Sequence, residues 1–164
     1  MFEHFTTLDD IVRARLSRAW SMENDTAALL GLCARFARDL DVGDLCRGQA
    51  EQSRMRADRV QACLVGLGVK LGANGCPATE GIADEGKAAI RRCDDSVVDA
   101  AILSTALECA HFQIATYQAL AEQAKAIRAK SVAALARGHR EQAEQFRDVV
   151  MADLPRVTAT LAEG

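Results

Sequence analysis

The sequence is poor in aromatic residues, which make up 4% of its 164 positions, and it holds only two prolines, Pro77 and Pro155. Alanine, leucine, arginine, glutamate and glutamine dominate instead, so long stretches run without a breaker and a large sheet is not expected. There is no excess of positive charge. The formal net charge is −3 with the two signs interspersed, which removes the basic field that nucleic acid binding needs. No run approaches the roughly 18 apolar residues of a helical membrane span. The opening MFEHFTTLDD lacks the basic region, apolar run and small-residue cleavage site of a signal peptide, so a cytoplasmic protein is expected. The six cysteines, at positions 33, 46, 63, 76, 93 and 109, include no C-x-x-C pair, and neither a zinc knuckle nor a dithiol redox centre is signalled. In a reducing compartment they are expected to be small buried hydrophobes. Gly-rich phosphate loops are missing too, as is any Ser or Cys with a His and an acid in a turn context, so nucleophilic catalysis is not indicated.

What remains is the pattern of one helical domain spanning residues 1–164. Thr7 followed by Asp10 resembles a capping box, and it opens a segment with Leu8, Val12, Leu16, Ala19, Ala27, Leu30 and Ala34 at helical spacing. This predicts a first helix over about 8–38. Asp39 to Asp44 reads as a turn with capping residues, Leu45 to Leu67 as a second helix stopped by Gly66-x-Gly68, and Gly72 to Pro77 as a loop. A short helix over 79–92 fits the crossover. Asp94-Asp-Ser96 offers caps for a long helix over 97–126, and a last helix over 129–152 is expected to end before Pro155. Two helical hairpins joined by a long crossover make an all-α, ferritin-like four-helix bundle.

Residues 105–118, TALECAHFQIATYQ, contain Glu108-x-x-His111, the pair from which many bundle di-metal sites are built. Helical phase argues against such a use here. Leu103, Ala106, Leu107, Ala110, Ile114, Tyr117 and Ala121 share one stripe at about 100° per residue, which leaves Glu108 on the opposite side and His111 at the flank. In the last helix Val132, Leu135, Ala136, Ala143, Phe146 and Val150 form the apolar stripe, and His139 interrupts it, whereas Glu141 and Glu144 lie on the polar side. On the first helix Glu23 interrupts Leu16, Ala19, Ala27 and Leu30. Trp20 and Tyr117 read as core anchors.

Several segments resemble the YciF-like branch of ferritin-like proteins, small bacterial bundles associated with stress. Trp20-Ser-Met-Glu23 is similar to that family's aromatic-x-x-Glu, and Cys76-Pro-Ala-Thr-Glu-Gly81 to its crossover motif. Asp99-Ala-Ala-Ile102 and His111-Phe-Gln-Ile-Ala-Thr-Tyr117 resemble segments of its third long helix. The resemblance covers residues 5–152. It implies that family carboxylates on the third long helix fall on Ala110 and Gln113, that an acid on the second falls on Gln52, and that another aligns with His139. A buried Glu23 needs a partner, and Arg56 shares the face of Gln49, Gln52 and Cys63 on the second helix.

The expectation is therefore a vestigial, non-catalytic ferritin-like homodimer with a structural or stress-related role. Its polar core is Glu23, Gln52, Arg56, Gln113 and His139, with Arg56 compensating Glu23 and no cofactor expected. Two other classes compete. One is a di-iron or di-manganese protein recruiting Glu23, His111 and His139 as ligands. The other is a thiol redox protein using Cys63 or Cys76.

Overall fold

The computed structural model describes residues 4–70 and 75–162, and among them the chain forms five helices and no strand. They are α1 (Leu8–Phe36), α2 (Leu40–Gly66), α3 (Pro77–Arg92), α4 (Val98–Ala126) and α5 (Lys130–Ala162). The fold is all-α, as the composition and periodicity imply. The α1–α2 and α4–α5 hairpins pack tightly within themselves, α1 faces α4, and α2 meets α5 only sparsely. The crossover helix α3 lies against α1 and α4, which completes the ferritin-like four-helix arrangement.

Local chemistry sets most of the boundaries. Thr7 caps α1 through its side chain, which accepts from the Asp10 amide at 3.1 Å, while the Asp10 carboxylate accepts from the Thr7 amide at 2.9 Å. Hydrogen bonding to the carboxylate, from the Thr7 hydroxyl first and then from the Thr6 and Thr7 amides, holds the Asp10 carboxyl below its usual range. At the other end of the first hairpin, α2 closes on Gly68 at φ +69°, with the Val69 amide donating to the Leu64 carbonyl at 3.0 Å. That left-handed turn costs a glycine little.

Four expectations need correction. The second helix begins at Leu40 and not at 45, because Asp39 itself is the N-cap and accepts from the amides of Asp41 and Val42 at 2.9 and 3.1 Å. The first helix ends at Phe36, two residues short of 38, to make room for that cap. Asp94, Asp95 and Ser96 do not cap α4, whose N-cap is Val97 without a side-chain bond. Asp95 pairs with Arg38 at 2.8 Å, and Asp99 accepts from the Arg38 and Asp39 amides at 3.0 and 2.9 Å, tying α4 to the α1–α2 turn. Finally, α5 continues through Pro155 to Ala162. Arg156 reaches Asp39 at 2.7 Å and Asp153 at 3.1 Å, anchoring the segment after the proline to the start of α2. Of the loop expected over 72–77, residues 72–74 lie outside the described residues.

The interior is two apolar clusters stacked along the bundle axis. One holds Leu29, Leu30, Val42, Ile102, Leu103, Phe146 and Val150. The other holds Val12, Leu16, Met22, Val60, Leu64, Leu120 and Val132. A buried Leu or Val in either is worth about 1.5–3 kcal/mol relative to exposure. Each of the four long helices passes from one cluster to the other through a buried polar residue: Glu23 in α1, Ser53 and Arg56 in α2, Gln113 in α4 and His139 in α5. Among the described residues no helix is long and apolar enough to cross a membrane.

Candidate functional site: the polar layer at the bundle centre

Helical phase brings this layer together. On α1, Leu16, Ala19, Glu23, Ala27 and Leu30 recur every three or four residues, so Glu23 is carried to the axis with its apolar neighbours. On α2 the inward stripe is Gln49, Ser53, Arg56, Val60 and Leu64. On α4 it is Ala106, Ala110, Gln113, Tyr117 and Ala121.

Glu23 is fully buried and both of its oxygens are engaged. Oε1 accepts from Arg56 Nε at 3.0 Å and from the Tyr117 hydroxyl at 2.7 Å, and Oε2 accepts from Gln113 Nε2 at 2.9 Å. Arg56, 1% exposed, also donates through a terminal nitrogen to Ser53 Oγ at 2.9 Å. Its other terminal nitrogen has, among the described residues, only Gln142 Oε1 at 3.5 Å, the outer limit of a hydrogen bond. A carboxylate is an acceptor only, which fixes the Gln113 amide with its nitrogen towards Glu23. Gln113 Oε1 finds no partner among the described residues.

His139 approaches the layer from α5. Its ring packs edge-on against Tyr117, with centroids 5.0 Å apart and planes at 84°. Nδ1 is buried and without a partner among the described residues. Burial, and then the charges of Arg56 and Arg59, lower its pKa to about 4. Tyr117 is shifted the other way: burial and the adjacent Glu23 carboxylate raise it well above the ordinary phenol value.

The structure thus brings Glu23, Arg56 and Gln113 into contact and sets His139 on the ring of Tyr117. It does not bring in Gln52, which is exposed beside Gln49 and Arg56 in a groove between α2 and α5. Ser53 takes the inward place because the α2 stripe runs 49, 53, 56, 60, and position 52 is rotated about 100° from it. Ser53 and the hydroxyl of Tyr117 are the members that the sequence reading misses. The signal for Ser53 was that same spacing. For Tyr117 it was its position four residues, one helical turn, after Gln113.

Glu108 and His111 lie exposed on the outer face of α4, away from the layer. Among the described residues no three His, Cys, Asp or Glu side chains gather as a metal-holding group. All six cysteines are free thiols. Burial pushes Cys33, Cys46 and Cys109 up to about 12, and raises Cys63, which disfavours the thiolate that redox chemistry requires. Cys76 is fully buried.

The family model described as "Domain of unknown function (DUF892)" matches residues 7–162. The crystal structure of the E. coli stress protein YciF superposes with a TM-score of 0.87 at 20% identity, covering 94% of this chain and 99% of that one. YcfI from Rhodopseudomonas palustris gives 0.84 at 20% identity, with 92% and 96% covered. A Xanthomonas campestris protein gives 0.77 at 15% identity, with 96% and 97% covered. No curated protein matches in sequence.

Proposed function

The chain belongs to the DUF892 family, the YciF-like proteins, and on that premise we propose that it is a ferritin-like bundle without a di-metal centre. Its role in this reading is structural or stress-related and not catalytic. The similar E. coli protein is described as a stress protein, and that description is the source of the stress assignment.

The observation that carries the reading is the Arg56–Glu23 pair. Two divalent cations between helices require several anionic oxygens to offset their charge and fill their coordination. Among the described residues Glu23 is the one buried carboxylate, and its two oxygens already hold a guanidinium, a phenol and an amide. The guanidinium supplies the positive charge that a cation would supply, from a side chain that is always protonated. Gln113 and Ser53 donate or accept without adding charge. These residues do not fit a di-iron or di-manganese site.

Metal analysis of protein purified without chelator is the direct test. Iron and manganese well below one equivalent per chain are expected, and near-stoichiometric, tightly held metal would overturn the reading. Self-association as a homodimer belongs to the same reading and is checked by light scattering on a sizing column.

A further inference from the structure

The groove between α2 and α5 has an open volume of about 330 Å³ and reaches inward to Arg56. It exists because those two helices meet sparsely. Its lining is asymmetric in hydrogen-bonding character. Arg56 presents the terminal nitrogen whose single partner among the described residues, Gln142 Oε1, stands at 3.5 Å. Gln49, 8% exposed, keeps a buried Nε2 with no partner among the described residues. Two donors at one inner wall therefore lack good acceptors, and an unmet buried donor is costly. Beside them Leu45, Phe146 and Val149 supply an apolar flank. Asp44, at the groove's rim, is engaged by Arg47. Arg59, one turn beyond Arg56 on α2, adds positive charge that is felt as far as His139.

The geometry points to a binding site for a small monocarboxylate with a short hydrocarbon body, its oxygens taken by Arg56 and Gln49 and its chain laid on Leu45, Phe146 and Val149. Ligand oxygens displace the long Gln142 contact and meet the Gln49 amide with charge-assisted bonds, which are stronger than neutral ones. The hydrocarbon part covers apolar surface that water now wets. A volume of this size suits a small molecule, since ligand clefts start at about 300 Å³. The inference goes beyond the metal-free reading and can fail or hold independently of it, because metal content and carboxylate binding are separate measurements.

Hexanoate is a suitable probe, titrated into the full-length protein by calorimetry, with hexanol as the uncharged control. Saturable binding with a Kd of about 1 mM or tighter is expected, and hexanol should bind at least about tenfold more weakly. Val149 is on the groove wall and 48% exposed, so Val149→Glu places a repelling charge there without touching the core. It should abolish binding and leave the melting temperature unchanged. Gln49→Leu should weaken binding about tenfold by removing a donor. No saturable heat up to about 10 mM, equal binding of hexanol, or unaltered affinity in the Val149→Glu protein would overturn the assignment.

Discussion

The hydroxyl of Tyr117 lies 2.7 Å from Oε1 of Glu23, across 94 positions of sequence, on the same oxygen that Arg56 holds. One carboxylate oxygen thereby joins α1, α2 and α4. Because Tyr117 is the chain's one tyrosine, that junction can be followed optically. Its absorbance should show no tyrosinate as the pH is raised until the fold itself gives way, since burial and Glu23 hold the phenol neutral. Tyr117→Phe should cost about 1.5–3 kcal/mol in urea unfolding, the value of a hydrogen bond to a charged group. An ordinary titration near pH 10 in the folded protein would contradict the burial.

The Glu23–Arg56 pair should be more sensitive to being broken than to being removed. Either Glu23→Ala or Arg56→Ala leaves a charge stranded in the core and should cost about 3–5 kcal/mol. Replacing both, as Glu23→Leu with Arg56→Met, should recover most of that loss or exceed wild type. A double-mutant cycle by denaturant unfolding measures the coupling. Single variants with wild-type stability would mean that the two side chains do not depend on each other.

His139 should make stability depend on pH. Its folded pKa, about 4, lies below the ordinary value near 6.5, so between these limits the unfolded chain binds a proton that the folded one refuses. The stabilisation is complete above about pH 6.5 and is lost as the pH falls through the window towards 4, to a total of about 3 kcal/mol. Replacing His139 by Leu should flatten this slope. Equal slopes in both proteins, measured by unfolding at a series of pH values, would assign it to other groups.

Gly86 should not tolerate a side chain. A Cβ there would stand 2.6 Å from Cγ2 and 3.1 Å from Oγ1 of Thr105, which is itself buried between α3 and α4. Gly86→Ala should therefore lower stability by about 1–3 kcal/mol despite the better helix propensity of alanine. Adding Thr105→Ala removes the two closest atoms and should restore part of the loss in thermal unfolding.

The parts of this structure legible in the sequence are those fixed by neighbours in the chain or by helical phase. The Thr7–Asp10 box is a four-residue event. Glu23 and Gln113 were visible as polar residues on apolar stripes, and Arg56 by its face on α2. Gln52 follows from the family alignment and from a face drawn through 49, 52, 56 and 63, whereas the buried stripe of α2 runs 49, 53, 56, 60 and 64 and so takes Ser53, one residue on. The end of α5 was misread because Pro155 weakens a helix locally, whereas what sustains the helix is distant: Arg156 pairs with Asp39, 117 positions earlier. Asp99 serves the opposite hairpin and not its own helix for the same reason. Such side-chain ties between remote turns leave no periodic trace.

The polar layer divides the core into two apolar halves, and this has a mechanical consequence. A purely apolar four-helix interior lets one hairpin slide against the other, since leucine meets leucine about as well one turn along. Here a slip of about 5.4 Å, one turn, would carry Gln113 and the Tyr117 hydroxyl of the second hairpin away from Glu23 of the first, at a cost of about 1–3 kcal/mol for each buried polar group left unpaired. The layer works as a notch: it holds the two hairpins at one axial setting, and with them the alignment of α2 and α5 that leaves their groove open.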